Sequence, residues 1–515
     1  MTAFLAACGG SDDGDTAQSA ATSTSGQSTT SAGSGGAPSD LVVANELEAE
    51  HLGPFWRGYP QQLVARQIWE SMAVPRMTLD QSGVGQVTFK PLLVESWEQI
   101  EPVRWRLTLR PGVTFHNGEP WNAQAAKFAF DTFTDKEAMA KLNQTASLAT
   151  YISGATVLDD MTVEVQTQGP QGEFLQRVVS GVIAIPPKAT EQQGIQSFYE
   201  NPIGTGPFTL KIWQRGQEIR LEKNPAYWDA TATNIPAIRY LFRSEPSVRT
   251  QMIKANEAQF AYNIGIEQAQ GLKNVVTGGG FQSNSVRTNN QKPVTGDIRV
   301  RTAMNYAVDR DAVIKTVFRG KATPIGFFGF QPVDVKPFQY KPDEAKKLID
   351  AAGARGQTLE FVWGELRIPE EPQLAEIYKA AFEAIGLKID LKRVEPKVYD
   401  DMNNRPFPVQ PHMFMETTSS GNGGEIVGGL RDKYGCKGTG SYCNEAFDAA
   451  FTDLSATLDP AERDRKLQDI AYRLQWEETP RVWVAAVQQV HAFAESIQAN
   501  LPANLPFLFT DLKFA

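Results

Sequence analysis

Between Pro91 and Asp131 the chain reads PLLVESWEQIEPVRWRLTLRPGVTFHNGEPWNAQAAKFAFD, and this stretch limits the possible local folds more than any other. Trp105, Leu107 and Leu109 alternate with Arg106, Thr108 and Arg110, the two-residue period of a half-buried strand. Pro111-Gly112 turns the chain, Val113 and Phe115 continue a second short strand, and Asn117-Gly118 turns it again. Asn122 then caps a helix whose apolar face is Ala126, Ala129, Phe130 and Phe133, at i, i+3, i+4 and i+7. The expected unit is a hairpin followed by a helix.

The front of the chain has a different character. Phe4-Leu5-Ala6-Ala7-Cys8-Gly9 resembles a bacterial lipobox, a small-residue run before a cysteine that is lipidated and becomes the mature N-terminus. Only seven residues precede Cys8, and no Lys or Arg occurs before Arg57, so residues 1–8 read as the remnant of a signal that begins upstream or was trimmed. The alternative is an ordinary cysteine near a ragged end. Residues 9–40 are almost wholly small and polar, and cannot bury enough apolar surface to offset their ordering entropy. They are expected to form a disordered tether with a reach of about 30 Å, from roughly 5–6 Å times the square root of its length. The expected place is outside the cytoplasm, periplasmic or on the outer face of the cytoplasmic membrane, with a lipid anchor as its contact with the bilayer.

The 515 residues are 41% hydrophobic and 21% charged, enough for a large folded body behind the tether. No apolar run approaches the ~18 residues of a membrane span. The net charge of −9 argues against nucleic acid or an anionic membrane surface as partner. Apart from Cys8, the cysteines are Cys436 and Cys443, in YGCKGTGSYCNE. In an exported chain a disulfide closing this loop is the favoured reading, whereas a metal site there would need further ligands. There is no HExxH, Walker loop, GxSxG elbow or CxxC pair. His51, His116, His412 and His491 are scattered, and His116 reads as structural. No enzyme, cofactor or metal is expected.

Further along, Leu41–Ala44, Met161-Val163-Val165, Phe208-Leu210-Ile212 and Ile219-Leu221 read as strands. NPIGTGPFTLKIW begins at Asn201, with Gly204 and Gly206 expected to permit turns, and IRLEKNPAYWDA begins at Ile219. Asp297 caps a helix carrying Val300, Ala303, Met304, Ala307, Ile314, Val317 and Phe318 on one face, with Arg299, Arg301 and Arg310 on a solvated one. Leu359–Trp363, a helix over 372–385 and Leu387-Ile389-Leu391 make a βαβ unit. The Pro91–Asp131 stretch, GTGPF, NPAYW, the IRVRTAMNYAVDRDAVIKTVF run, YKPDEAKKLIDAAG and the helices from Cys443 to Pro480 together resemble the family 5 extracellular solute-binding proteins, the dipeptide, oligopeptide and nickel receptors of ABC importers. The resemblance covers nearly everything from Leu41 onward.

It implies a two-lobed α/β fold of the periplasmic-binding-protein type II, with two hinge crossings and an extra subdomain. Lobe I would be 41–287 plus 481–515, with the subdomain at about 85–200, and lobe II would be 288–480. The protein would be a monomer that captures a solute, most often a peptide, in the cleft and delivers it to the permease. The cleft walls would come from Asn45-Glu46 with Phe55-Trp56, from Trp363 and Glu365, and from a late loop with Glu416, Thr417, Thr418, Ser419, Asn422 and Glu425. Trp56 and Trp363 would stack on an apolar or planar ligand part, or pack in the core. Peptide receptors of the family carry a Gly-Trp-x-x-Asp segment in the late loop, whereas METTSSGNGGE stands here, leaving Glu416 or Glu425 as counter-charge for an ammonium. A non-peptide solute (an oligosaccharide, an opine-like compound or a metal chelate) therefore stays open, as does a surface sensor or a hydrolase on a similar scaffold.

Overall fold

The structure, a computed structural model, describes residues 40–55, 59–79, 85–142, 148–327, 333–364, 368–419, 427–438, 440–499 and 508–515. Cys8 and the tether up to residue 39 lie outside the described residues, as do Trp56, Glu365, Asn422 and Glu425.

One eleven-stranded sheet organises the chain. Its strands are β1 (Leu41–Asn45), β2 (Phe208–Gln214), β3 (Glu218–Lys223), β4 (Ala237–Phe242), β5 (Phe260–Ala261), β6 (Val275–Thr288), β7 (Ala322–Pro324), β8 (Thr358–Trp363), β9 (Lys388–Arg393), β10 (Met413–Ser419) and β11 (Arg481–Phe493). They lie in the order β9-β8-β10-β6-β11-β5-β1-β4-β3-β2, with β7 beside β11. β1 runs parallel to β4 and β5, and β8 runs parallel to β9 and β10. The long antiparallel pair β6–β11 joins these two parallel blocks. Its ladder slips by one residue between Asn284 and Ser285, where Val484 is skipped, and more widely near its start. Thr277 pairs with Val490 and Phe281 with Gln488, so Gly278-Gly279-Gly280 stand opposite the single residue Gln489. Before this wider slip β6 faces β11 where β11 also meets β5; after it, β6 lies between β10 and β11.

Apolar side chains gather on both sides of that junction. One cluster holds Leu41, Trp69, Trp121, Phe130, Tyr240 and Phe509. A second holds Val300, Met304, Tyr378, Phe382 and Met415, and a third holds Tyr434, Phe451 and Trp483. A separate four-stranded antiparallel sheet, Val94–Glu101, Arg104–Leu109, Thr162–Thr167 and Ile152–Asp159, carries helix α1 (Ala123–Thr134).

Arg104–Leu109 is the strand its alternation predicts, with Leu107 and Leu109 buried. The Asn122 side chain caps α1 by accepting from the Ala125 N–H at 3.0 Å. The hairpin partner differs from expectation: Val94–Glu101 pairs with this strand, and Val113–Phe115 makes only a Thr114–Pro120 bridge. The Phe115 N–H donates to the Glu119 carbonyl at 2.8 Å and the Trp121 N–H to the Val113 carbonyl at 3.0 Å. The closed loop drops Phe115 and Trp121 into the core instead of extending a strand.

The glycines of GTGPF also act differently from expectation. Neither Gly204 nor Gly206 has a positive φ. A Cβ at Gly204 would stand 1.9 Å from the Ile68 carbonyl oxygen, and one at Gly206 2.6 Å from that of Gln67. Their role is backbone contact. His116 docks there, its N–H donating to the Gly204 carbonyl at 2.8 Å and its Nε2 lying 3.0 Å from the Gly206 carbonyl. Burial pushes its pKa down from 6.5 to about 4, against that carbonyl bond. Nearby, the buried Glu70 accepts from the Tyr227 hydroxyl at 2.8 Å and the Trp228 indole at 3.4 Å. Burial raises its carboxyl from 4.5 to about 7, opposed by those bonds and by the Arg110 charge.

The helix expected after Asp297 is two helices, α2 (Ile298–Ala307) and α3 (Arg310–Thr316). Val308 is extended, and Asp309 caps the second by accepting from the Ala312 N–H at 2.9 Å. Arg301 and Arg310 do not form a solvated face. Arg301 donates to the carbonyls of Thr295, Gly296 and Glu478, and Arg310 to those of Asn305, Val308, Phe338 and Trp483. Each buried guanidinium ties together backbone carbonyls from separate segments of the chain, its several N–H donors satisfied there. The βαβ unit forms as read, with α4 (Glu371–Ala384) between β8 and β9.

Candidate ligand-binding site

In open α/β sheets, ligands lie at the carboxyl ends of the parallel strands. The two parallel blocks give this chain two such ends, and β6–β11 runs between them.

At the first end, β1 finishes at Asn45, whose side chain donates to the Leu47 carbonyl and accepts from the Glu46 N–H, both at 3.0 Å. Glu46 accepts from the Asn263 side-chain amide at 2.9 Å. Burial raises the Glu46 carboxyl, opposed by that bond and by the charge of Arg249. Arg249 itself is taken up by the carbonyls of Arg243, Ser244, Tyr262 and Asn263. Asn263, in the left-handed region at φ 48°, donates its N–H to His491 Nδ1 on β11 at 3.2 Å. The neighbouring Tyr262 hydroxyl donates to Gln489 Oε1 at 3.0 Å. The end of β1 is thus bolted to the crossing strand.

At the second end, β6 and β10 present polar groups to both faces. On one face, Asn284 Nδ2 donates to Thr417 Oγ1 at 3.0 Å and its Oδ1 accepts from the Tyr378 hydroxyl of α4. Gln282 precedes it by two residues on the same face, opposite Ser419 and Val487. On the other face, Glu416 accepts from Arg481 at 2.6 Å and Arg287 at 3.0 Å, with Lys433 at 3.8 Å. Burial alone would raise the Glu416 carboxyl; the charges of Arg481, Lys433 and Arg287 outweigh it and hold it well below the ordinary range.

The structure therefore separates the residues that the sequence grouped. Asn45 and Glu46 stand at the first end, and Thr417, Thr418 and Ser419 at the second. Glu416 shares their strand, with its carboxylate held by arginines. Phe55 is buried with its ring 5.0 Å from that of Phe133. Trp363 ends β8, nearly buried, with the Arg393 guanidinium 5.3 Å from its ring. Cys436 and Cys443 are joined as a disulfide. Asn263, Gln282, Asn284, Tyr378 and Gln489 were missed. The signal available was the run Gln282-Ser283-Asn284-Ser285, polar at every position inside a central strand.

Away from the sheet, segment 171–173 touches the helices that close the chain. Those helices are α5 (Val427–Tyr434), α6 (Glu445–Ala456) and α7 (Pro460–Arg473). The Gly172 N–H donates to the Ser455 carbonyl at 2.9 Å, and Arg463 donates to the Gly172 carbonyl at 2.5 Å. Glu173 accepts from the Val427 N–H at the start of α5, at 3.1 Å. A second bridge joins Glu370, at the start of α4, to the Ile266 N–H at 3.2 Å.

The model of the family described as bacterial extracellular solute-binding proteins, family 5 Middle, matches residues 88–422. The chain belongs to this family. It is therefore an extracytoplasmic solute-binding protein. Glutathione-binding protein GsiB of Escherichia coli K12 is 26% identical over 493 residues, covering 90% of this chain and 91% of the relative. The dipeptide-binding protein of Pseudoalteromonas sp. SM9913, solved with Met-Leu, superposes with a TM-score of 0.78 at 18% identity, over 93% of this chain and all of the other. NikZ of Campylobacter jejuni, solved with Ni(L-His), gives 0.76 at 19% identity, over 90% of this chain and 96% of the other. The family 5 protein has the two-lobed type II fold that its sequence words imply, with the sheet passing twice between lobes.

Proposed function

We propose that this solute-binding protein closes its two lobes on a peptide and passes it intact to the permease of an ABC importer. The observation that carries the reading is the pair of polar strand ends joined by β6 and β11, which would form the floor of the cleft. Relatives named for glutathione and dipeptide binding support it. Lobe I would comprise the chain from Leu41 to the glycines at 278–280, together with the chain after Gln489, and lobe II the stretch between. Residues 85–200 would be the extra subdomain. These crossings fall a few residues inside the boundaries near Arg287 and Arg481. The contacts of Gly172 and Glu173 with α5–α7 would be the rim of the closed form.

Asn45, Glu46, Thr417, Thr418 and Ser419 line the proposed cleft. With Glu416 committed to two arginines and Glu425 outside the described residues, Glu46 would be the carboxylate set against a peptide ammonium, a charge-assisted bond worth about 1.5–3 kcal/mol. A lipid on Cys8 would hold the monomer at the membrane, and no turnover of the solute is expected.

Native mass spectrometry of protein purified from its own host tests the reading. A ladder of peptide masses is expected. One non-peptide mass refutes the peptide assignment, and hydrolysis products accumulating from a bound solute refute the receptor role.

A further inference from the structure

Gln282 stands out among the buried amides. Of the buried Asn and Gln side chains among the described residues, it alone has both its Oε1 and its Nε2 sealed from solvent and without a hydrogen-bond partner. It is fully buried. The contrast with its neighbours is direct: Asn284, two residues on, has donor and acceptor both satisfied, and Gln489 on the adjacent strand accepts from Tyr262. Native interiors satisfy nearly all such groups, because each unpaired one costs free energy.

Its position gives the unpaired amide a meaning. Gln282 lies one residue past Phe281, where the β6–β11 ladder resumes after its wider slip, opposite Ser419 at the carboxyl end of β10. On β11 it faces Val487, two residues from Gln489, which the first parallel block binds through Tyr262. This is the meeting point of the two strand ends described above.

We propose that Gln282 reads one backbone residue of the solute: its Nε2 donates to that residue's carbonyl and its Oε1 accepts from the same residue's N–H. In an extended peptide a residue's own N–H and C=O point to the same side, so one planar carboxamide, carrying a donor and an acceptor, can pair with both. The inference rests on the peptide reading and makes Gln282 a determinant of solute class.

The test compares the full chain with Gln282→Met, of similar length but without the amide, and with Gln282→Leu should the first fail to fold. Titration calorimetry with trialanine, and with trialanine N-methylated at each amide in turn, reads the contact. The expected result is a Kd raised about tenfold to a hundredfold in Q282M. Wild type should discriminate against at least one N-methylated probe, and Q282M should lose that discrimination. The empty variant should melt above the empty wild type, because an unpaired amide has left the interior. Equal trialanine affinity in both proteins overturns the assignment and leaves the peptide reading standing. If the wild type binds neither trialanine nor any peptide recovered with it, the peptide reading fails, and the assignment of Gln282 to a peptide backbone falls with it. A melting temperature of Q282M below that of wild type also overturns the assignment, because the amide is then satisfied in the empty protein.

Discussion

Replacing Glu70 by glutamine should reshape the pH dependence of stability in a way that the surroundings of Gly204–Gly206 make calculable. The folded protein raises the Glu70 carboxyl from 4.5 to about 7, chiefly by burial. Between those values the native state holds a proton that the unfolded chain has released, so stability falls as pH rises through the window. The interval is worth about 3 kcal/mol, at roughly 1.4 kcal/mol for each pH unit crossed. His116 works in the opposite sense. Its folded value is depressed from 6.5 to about 4, so the unfolded chain binds the extra proton and stability rises with pH across that range. In the wild type the two slopes oppose each other from about pH 4.5 to 6.5, leaving a shallow profile. Glu70→Gln removes one of them, while the glutamine oxygen can still accept from the Tyr227 hydroxyl. The variant's stability should climb by about 3 kcal/mol from pH 4 to 6.5 and then level. Its difference from wild type should grow in its favour by a similar amount between pH 4.5 and 7.5. Urea denaturation followed by tryptophan fluorescence at half-unit pH steps measures both. Parallel profiles for the two proteins would refute the reasoning.

Three further outcomes follow from the packing. Glu416→Gln leaves Arg287 and Arg481 buried without their carboxylate and should cost about 3–5 kcal/mol, read as a shift in the urea midpoint; a cost under about 1 kcal/mol contradicts the buried pairing. Gly204→Ala places a methyl 1.9 Å from the Ile68 carbonyl oxygen and should destabilise by about 3 kcal/mol, visible in a thermal melt; an unchanged melt contradicts the close contact. Gly172→Val would put its Cβ 2.3 Å from the Thr457 carbonyl oxygen and push segment 171–173 off the closing helices. It should weaken every solute by one common factor of about ten, checked by calorimetry with two unlike peptides, and unequal losses would count against a rim contact.

Local features of the sequence transferred well. The alternation in Arg104–Leu109, the Asn122 cap and the βαβ unit depend on residues within a few positions of one another, and all three formed. What failed was non-local. The partner of Arg104–Leu109 could lie upstream or downstream, and the alternation is silent on which. Arg301 and Arg310 sit in a pattern that reads as exposed, yet Arg301 reaches the Glu478 carbonyl 177 residues away and Arg310 the Trp483 carbonyl 173 away. The candidate site divides the same way. Asn45-Glu46 was legible because it ends a strand. Gln282 was not, because the groups that satisfy its neighbour Asn284 lie 94 and 133 residues off, and only their arrangement shows that one amide is served and the next is not.

The wider slip between β6 and β11 has a mechanical consequence. Three glycines face one residue there, so a turn of one block against the other can be absorbed by backbone torsions with no Cβ to obstruct them. In the proposed closure, pairing above and below that slack would survive, and the work would be drawn from soft rotations instead of ruptured ladder rungs. How long cargo dwells would then be governed by what it touches, with little stiffness contributed by the joint.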